Sequence, residues 1–267
     1  MSADNDISLD EKRVYSGDRR ETTAYVASGM GVVTVDVVDE RVGGFELAHR
    51  CSARDVAAGD GLVAVATDEA VLVGPGEFEA SGFGPAVAVG LSGDGLLAAG
   101  QDGEIARYDE VSGDWNALGT CEGDVRAIDG DLVAASDGVY RLTDDMAHAG
   151  LDDVRDVAAS GIPRAATGAG LYYLGNGWMD HLDGEFTLVA SDGDRGHALG
   201  GGELLRLADD GRWQVHPHQP DAEFVDLDYG DTVYAVSADG RFFAEGEDGW
   251  RHQLLGMPDV AAVAVPR

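Results

Sequence analysis

Lysine is nearly absent from this sequence. Lys12 is the only one, and the other 17 of the 18 basic residues are arginines. A phosphate-binding loop of the GxxxxGK type and Schiff-base chemistry both need a lysine, so neither can operate in the body of the chain. The GxSxG, HExxH and CxxC motifs are missing as well. We therefore expect no cofactor and favour a protein that is not an enzyme.

Cysteine and long apolar runs are also scarce. Cys51 and Cys121 are too few for a disulfide framework, and we expect them to be reduced thiols. No stretch of about 18 apolar residues is present to span a bilayer. Residues 1–10 are acidic and lack the apolar run of a signal peptide. These absences predict a cytoplasmic protein that does not interact with a membrane.

Positive charge is scarce overall, because 50 acidic residues outnumber 18 basic ones and give a net charge of −32. Hydrophobic residues make up 44% of the chain, which is enough to fill a core, so the acidity belongs to the surface of a folded protein. At molar salt the Debye length is about 3 Å, and repulsion among surface carboxylates is screened. The composition predicts a halophilic protein and disfavours nucleic acid as a partner. We expect a monomer.

Large side chains recur along the chain at a regular interval. Each follows a turn-forming segment, and neighbours in the series are 31 to 37 residues apart. We call these residues the blade anchors: Phe45, Phe78, Trp115, Met146, Trp178, Trp213 and Trp250. A period in this range is typical of solenoids and propellers. The sequence therefore contains seven copies of one structural unit.

Each unit contains two short apolar runs separated by a tight turn, for example residues 96–99 and 105–108. Asp-Gly pairs at 102–103, 137–138 and 239–240 are typical of β-hairpin turns. A third run precedes each hairpin, and the blade anchor opens a fourth. Four strands per unit and seven units predict an all-β protein, a seven-bladed β-propeller with four-stranded antiparallel blades.

The two ends of the chain complete each other. Residues 259–265 copy the first strand of a unit, whereas residues 23–28 and 31–35 copy the second and third. We expect the C-terminal strand to join the N-terminal strands and close the ring, which removes unpaired edges between the terminal blades. The propeller domain is predicted to cover 21–267. Residues 1–20 fall outside the repeat, as a tail or as an extra strand at 13–15.

Two of the turns before blade anchors, residues 208–213 and 247–250, approach the Ser-x-Asp-x-Gly-x-x-Trp pattern of Asp-box propellers. Both lack the opening hydroxyl, so a sialidase activity does not follow. The Gly-His and Trp-Asp pairs of an ordinary WD40 protein do not recur. With its acidity and arginine bias, the chain resembles the single-domain β-propeller proteins of haloarchaea. That resemblance implies the fold and no activity.

Charged residues cluster where the first strand of a unit enters the channel. Arg54, Arg126 and Arg155 occupy similar repeat positions, and aspartates lie next to them at Asp55, Asp156, Asp226 and Asp259. The structural interpretation is that these arginines balance the adjacent aspartates in ion pairs between blades. The functional interpretation is a ligand-binding site at the channel mouth.

Metal-binding patterns are weak. Asp192 and Asp194 form part of a calcium loop without its later ligands, and His216 and His218 are close enough to share an ion. Histidines also follow other blade anchors, at 49, 148, 181 and 252. Because outer strands diverge from the axis, we expect these histidines, with His216, to lie apart on a solvated edge.

Without a competent catalytic set, a non-catalytic binding or scaffold module is the favoured function. Its expected partner is a protein that docks on the channel face. One alternative is a metal-assisted hydrolase or lyase at the axis, using channel aspartates and His218. A second alternative is a sensor of small anions that uses the three channel arginines.

Overall fold

The computed structural model describes residues 21–266 except 39, 60 and 144. The predicted N-terminal segment 1–20 lies outside these residues. The described part of the chain forms 28 strands in seven four-stranded antiparallel sheets, which we call blades 1 to 7. Nowhere in this part does a helix long and apolar enough to cross a membrane occur.

Blade 1 contains strands from both ends of the chain, and blades 2 and 3 follow it in sequence. The strands of blade 1 are β28 (Ala262–Ala264), β1 (Glu21–Ser28), β2 (Gly31–Val38) and β3 (Arg41–His49). Those of blade 2 are β4 (Ala53–Gly59), β5 (Leu62–Thr67), β6 (Val71–Gly74) and β7 (Glu79–Ala80). Those of blade 3 are β8 (Ala86–Ser92), β9 (Gly95–Gly100), β10 (Glu104–Asp109) and β11 (Asp114–Thr120).

The remaining four blades are continuous in sequence. Blade 4 has β12 (Val125–Asp129), β13 (Leu132–Ala135), β14 (Gly138–Leu142) and β15 (Met146–Gly150). Blade 5 has β16 (Val154–Ala158), β17 (Arg164–Thr167), β18 (Gly170–Leu174) and β19 (Trp178–Asp183). Blade 6 has β20 (Phe186–Ser191), β21 (Gly196–Gly200), β22 (Glu203–Leu207) and β23 (Trp213–Val215). Blade 7 has β24 (Phe224–Tyr229), β25 (Val233–Ser237), β26 (Arg241–Gly246) and β27 (Gly249–Leu254).

Blade 1 closes the ring as the sequence predicts. β28 pairs antiparallel with β1, with Tyr25 opposite Ala264 and Ala27 opposite Ala262. The innermost strand of blade 1 thus comes from the C-terminal end of the chain, and its three outer strands come from the N-terminal end. The seven-bladed, four-stranded architecture and its closure are confirmed.

The predicted hairpin turns also form, and their glycines explain why. Gly103 and Gly240 have φ of 83° and 81°, a left-handed conformation that residues with a Cβ rarely adopt. A Cβ on Gly103 would lie 2.5 Å from the Cys121 carbonyl oxygen, so the turn also has no room for a side chain. These glycines permit the short connections between the second and third strands.

The blade anchors occupy the same place in the repeat. Six of them lie opposite the equivalent position of the third strand in their blade. These pairs are Val35 with Phe45, Tyr108 with Trp115, Leu142 with Met146, Leu174 with Trp178, Leu207 with Trp213, and Glu245 with Trp250. The regular spacing in the sequence therefore reports a regular position on the fourth strand.

In the described residues the core forms seven clusters, each between two neighbouring blades. Trp213 of blade 6, for example, packs with Leu171 of blade 5 and Phe186 of blade 6. The four tryptophans are half-buried, and each indole N–H donates a hydrogen bond to the preceding blade or to the connection that follows it. The prediction that large rings separate the blades is confirmed for them.

Phe45 departs from this pattern, because its side chain is 40% exposed. A register shift between Val35 and Val37 lies at its partner position, and such a bulge turns a side chain away from its regular direction. Val42 and Leu47 pack against the cluster between blades 7 and 1 instead. The expectation that Phe45 lies between two blades was wrong.

Both cysteines are free thiols, as predicted. Cys121 is buried in the cluster between blades 3 and 4, and burial raises its pKa to about 11. Burial also raises the pKa of Cys51. Because the thiolate is the reactive form, these shifts make both thiols poor nucleophiles.

Candidate functional site

The inner strands of blades 2 to 7 share one irregularity. Each has a register shift at the equivalent position near its start, so that one residue bulges out of the ladder. The bulged residues are Arg54, Val87, Arg126, Arg155, Thr187 and Val225, and Ala261 precedes β28 at the corresponding point of blade 1. All seven line the central cavity. We call them the bulge ring.

The bulge ring has a basic side and an uncharged side. Its arginines belong to blades 2, 4 and 5, whereas blades 6, 7 and 1 contribute Thr187, Val225 and Ala261. The cavity behind the ring has a volume of about 640 Å³. The alignment of Arg54, Arg126 and Arg155 that the sequence predicts is therefore real. It concentrates positive charge at one mouth of a strongly acidic protein.

The three arginines differ in how their charges are balanced. Arg126 contacts the Asp153 carboxylate at 2.7 Å and the Val154 carbonyl at 3.0 Å. Arg155 lies 3.5 Å from Asp153 and 3.8 Å from Glu185. The hydrogen bond from Arg126 and the charges of both arginines lower the pKa of Asp153. Arg54 is exposed, and no carboxylate of the described residues lies within ion-pair distance of it.

Asp55, Asp156 and Asp226, which we call the channel aspartates, join neighbouring blades by accepting hydrogen bonds from backbone amides. Asp55 accepts a hydrogen bond from its own neighbour Val56 at 2.8 Å and another from Val89 of blade 3 at 2.9 Å. Asp156 accepts from Val157 and from Val189 of blade 6, both at 2.8 Å. Each carboxylate thereby ties one inner strand to the next.

Asp226 has the same geometry at the closure of the ring. It accepts a hydrogen bond from Leu227 at 2.8 Å and another from Val263 of β28 at 2.7 Å. Two residues further, Asp228 contacts Val265 at 2.7 Å. Two carboxylates of blade 7 therefore connect blade 7 to blade 1.

Asp129 and Asp228 are members of this set that sequence reasoning missed. The Asp129 carboxylate accepts the amide N–H of Ala159 at 2.7 Å, which links blade 4 to blade 5. Both residues lie two positions beyond the place in the inner strand that Asp55, Asp156 and Asp226 share. An acidic residue at any point of an otherwise apolar inner strand was the available signal.

The channel aspartates have shifted acidities. Removal from bulk water raises the pKa of Asp55 to about 7 and that of Asp156 to about 7, although the amide hydrogen bonds oppose this change. The same burial raises the pKa of Asp226 well above its ordinary value, and repulsion from the other two carboxylates adds to it. The carboxylates therefore sense one another across the channel.

Two expectations about these charges need correction. Asp259 does not align with the channel aspartates, because it lies in the exposed loop before β28 and does not line the cavity. The arginines do not pair with the aspartates beside them. Those carboxylates accept inner-strand amides, so Arg126 and Arg155 pair with Asp153 and Glu185 in the entry loops instead.

The predicted metal candidates separate in the structure. Asp192 accepts a hydrogen bond of 2.7 Å from the Arg195 guanidinium, and Asp194 is exposed. His216 is 2% exposed, so the expectation of a solvated edge was wrong for it. It lies beside His197 and Glu245, which sequence reasoning missed, and the ring of His218 is not part of that group.

The cavity has few groups suited to catalysis. Among the residues that the structure describes, its lining contains no histidine, cysteine or lysine. Within the described ranges, the channel aspartates form no group of three potential ligands around a common point. His218 lies in the loop after β23, with its ring against Gly249 of the outermost strand of blade 7, so the structure does not bring it to the axis. The arrangement can hold a negatively charged group against the arginines.

The sequence matches a known family of β-propellers. Residues 8–266 match the model of the HVO_0234-like β-propellers. The chain belongs to this β-propeller family. No curated protein matches the sequence. The family match covers nearly the whole chain and agrees with the resemblance drawn from the repeat, as far as the propeller fold.

Solved structures show the same fold at low sequence identity. The computationally designed protein Ika8 is 15% identical over 92% of this chain and 91% of its own, with a TM-score of 0.63. The Pan2 WD40 domain of Neurospora crassa is 12% identical over 85% and 88%, with a TM-score of 0.61. The WD40 propeller domain of Doa1 is 13% identical over 80% and 86%, with a TM-score of 0.62. At these identities, the likeness concerns the fold alone.

Proposed function

We propose that this propeller is a non-catalytic binding module whose binding face is the bulge ring at the channel mouth. Its partner is a protein that inserts a carboxylate-bearing segment. The observation that carries this proposal is the position of three arginines on one side of the ring, in a chain with 50 acidic residues. A guanidinium presents a planar fork of N–H donors that matches a carboxylate.

The contacts of the charged residues at the axis support the proposal. The channel aspartates accept backbone amides and are committed to joining blades. Arg54 is exposed and has no carboxylate of the described residues beside it. A partner's carboxylate can therefore bind Arg54 directly and share Arg126 and Arg155 with their entry-loop acids. Fold alone does not select this function, which depends on these side chains.

A matched pair of variants tests the proposal. The mouth variant carries Arg54→Gln, Arg126→Gln and Arg155→Gln. The rim variant carries Arg141→Gln, Arg212→Gln and Arg251→Gln, three exposed arginines of which two are in ion pairs. Both lose three positive charges and the ion pairs of two arginines. Each protein is immobilised and exposed to cell extract in molar potassium chloride, and bound proteins are identified by mass spectrometry.

We expect a specific partner to bind the wild type and the rim variant, and binding to the mouth variant to fall at least 10-fold. Cross-links from the partner should involve the bulge ring. Equal loss in both variants would attribute binding to overall charge and contradict the proposal. So would undiminished binding by the mouth variant.

The size of the cavity favours a second candidate, a sensor of small anions. About 640 Å³ is within the range of small-molecule pockets, and the arginines lie at its entrance. Inorganic phosphate or a small dicarboxylate would then raise the melting temperature of the wild type and of the rim variant. The same rise in the mouth variant would exclude the channel arginines as the anion site.

A further inference from the structure

Three potential metal ligands meet between blades 6 and 7, outside the channel. His197 lies in β21, His216 directly follows β23, and Glu245 lies in β26. One ligand atom from each lies within 4.8 Å of the other two. His197 is 4% exposed and His216 is 2% exposed, whereas the Glu245 side chain is 26% exposed. We call this group the 6/7 cluster.

Comparison among the blades shows that this cluster is a local departure from the repeat. The position of Glu245 is occupied by Val, Gly, Tyr or Leu in the other six blades. The position of His197 is mixed: it corresponds to Ala64, Leu97 and Leu132 in blades 2 to 4, and to Arg164, Tyr234 and Tyr25 in blades 5, 7 and 1, so the departure from the repeat lies at Glu245. Burying polar groups at positions that accommodate apolar ones costs free energy unless they are paired or bind an ion.

Hydrogen bonds fix the proton of His197. The Tyr229 hydroxyl donates to the Ala190 carbonyl at 3.0 Å, so it can accept from His197 Nδ1 at 2.9 Å. His197 then carries its proton on Nδ1, and Nε2 keeps a lone pair. An N–H bonded to an oxygen on one side of the ring is the usual state of a metal-binding histidine.

The contacts of His216 accommodate either tautomer. Its Nδ1 lies 2.8 Å from the His218 carbonyl oxygen and 3.2 Å from the His218 amide nitrogen, and its Nε2 lies 2.8 Å from Glu245 Oε1. Without an ion, Nδ1 accepts the His218 amide N–H and Nε2–H donates to the carboxylate. A cation bound to Nε2 and the carboxylate takes the place of that hydrogen bond, and the ring then carries its proton on Nδ1, which donates to the His218 carbonyl. The His216 amide carbonyl is itself fixed by Gln219 at 3.0 Å.

We propose that His197, His216 and Glu245 bind one divalent transition-metal ion of the zinc class, which joins blade 6 to blade 7. Two imidazole nitrogens and one carboxylate oxygen are a ligand set that zinc accepts. Tetrahedral zinc needs ligand atoms about 3.3 Å apart, and rotation of side chains within the 4.8 Å group achieves this. A fourth ligand position remains for water on the side where Glu245 is exposed.

Two neighbouring charges oppose the ion. Arg206 lies opposite His197 in the sheet, and its charge acts on both His197 and Glu245, while the charge of Arg195 also acts on His197. The Glu245 carboxylate compensates part of this repulsion by direct contact with the ion. The Tyr229 hydroxyl and the His218 carbonyl complete the surroundings by orienting the two imidazoles.

The test uses the full chain, stripped with chelator and kept in molar potassium chloride so that surface carboxylates are screened. Zinc is titrated against a chromophoric chelator, and cobalt(II) is added in parallel to record its visible absorption. We expect one ion per chain and a cobalt spectrum of tetrahedral, nitrogen-containing coordination. Zinc should also raise the melting temperature, because it binds the folded state.

Matched variants separate the site from surface binding. Glu245→Gln keeps the size of the side chain and an acceptor for His216, so it retains the fold, whereas Glu247→Gln removes an exposed acid two residues away. His216→Gln is matched by His218→Gln. We expect zinc affinity to fall at least 10-fold in Glu245→Gln and His216→Gln and to stay within about twofold in the two controls.

Three results would overturn the proposal. The first is the absence of saturable binding of one ion by the wild type. The second is equal weakening in Glu245→Gln and Glu247→Gln, which would assign the ion to the acidic surface. The third is a cobalt spectrum of octahedral oxygen coordination, which the two imidazoles would not give.

Discussion

The blades are held together differently at the axis and at the rim. Near the axis, Asp55, Asp156 and Asp226 connect adjacent inner strands through backbone amides. Near the rim, half-buried tryptophans such as Trp213 fill the space between blades and donate an indole N–H to the neighbour. The interfaces between blades 2 and 3, 4 and 5, and 5 and 6 therefore use polar bonds at one end and rings at the other.

Geometry explains the difference. Blades converge at the axis, so inner strands such as β4 and β8 carry mainly small and aliphatic side chains, although Phe224 and Tyr229 of β24 also pack between blades 6 and 7. The inner strand is also an edge strand of its sheet, so the amide N–H groups on its free side have no acceptor in a strand of their own blade. A short carboxylate reaches the amide of the next blade. Outer strands diverge and leave a gap that only large side chains fill.

The largest effect is expected from removing a carboxylate at the closure of the ring. Asp226→Ala deprives the amides of Leu227 and Val263 of their acceptor, and each unsatisfied buried donor costs about 1–3 kcal/mol. We expect a loss of about 3–4 kcal/mol in the free energy of unfolding, measured by denaturant titration in molar salt. Asp114→Ala, which removes an exposed acid, should cost less than about 0.5 kcal/mol.

The rim should be less sensitive than the axis. Trp213 is half-buried, so Trp213→Ala should cost about 2–3 kcal/mol, below the about 3–5 kcal/mol of a fully buried ring. Trp213→Phe keeps most of the ring and removes the hydrogen bond to His181, at a cost of about 1 kcal/mol. A Trp213→Ala loss larger than that of Asp226→Ala would reverse the comparison.

A pH effect should distinguish the axis from the rim. The Asp55 and Asp156 carboxyls have pKa values of about 7 in the folded protein and ordinary values when unfolded. Between about pH 4 and about pH 7 the folded state binds more protons, so stability falls as the pH rises through that window. We expect a loss of about 1–2 kcal/mol per carboxyl from about pH 5 to about pH 8, after allowance for water in the channel.

Denaturant titrations at both pH values in molar salt measure this effect. The double variant Asp55→Asn and Asp156→Asn should show a smaller pH dependence, because its amides do not titrate. Trp213→Ala should retain the dependence of the wild type. An unchanged slope in the double variant would contradict the raised pKa values of Asp55 and Asp156.

The smallest effect is expected at Phe45. Its side chain occupies the anchor position of blade 1 but is 40% exposed, so Phe45→Ala should change the free energy of unfolding by about 0.5 kcal/mol or less. A loss as large as that of Trp213→Ala would show that Phe45 fills a gap between blades in solution.

The blade count, strand number and ring closure could be predicted because the anchors report a period directly. The arginine ring could be predicted for the same reason, since Arg54, Arg126 and Arg155 keep one repeat position. The ion-pair partners of those arginines could not be predicted from the sequence. Whether a carboxylate accepts an amide or a guanidinium depends on where the bulge places each side chain, and a single-residue bulge leaves no mark in the spacing.

The 6/7 cluster shows a different limit. His197 and Glu245 lie on different blades, 48 positions apart in the chain, and their proximity follows from blade packing. Aligning the seven blades would have marked Glu245 as a charged residue at a position where the other blades have Val, Gly, Tyr or Leu. The spacing of histidines after blade anchors instead suggested a solvated edge, which His216 contradicts.

Amide hydrogen exchange at Val263 tests most directly whether carboxylates join the blades at the axis. We predict that this amide is as protected in the wild type as the central strands of blade 1. In Asp226→Ala it should exchange at least 10-fold faster, while the indole contacts at the rim are preserved. Exchange at Val263 as fast as in an exposed loop of the wild type, or unchanged by Asp226→Ala, would contradict the account.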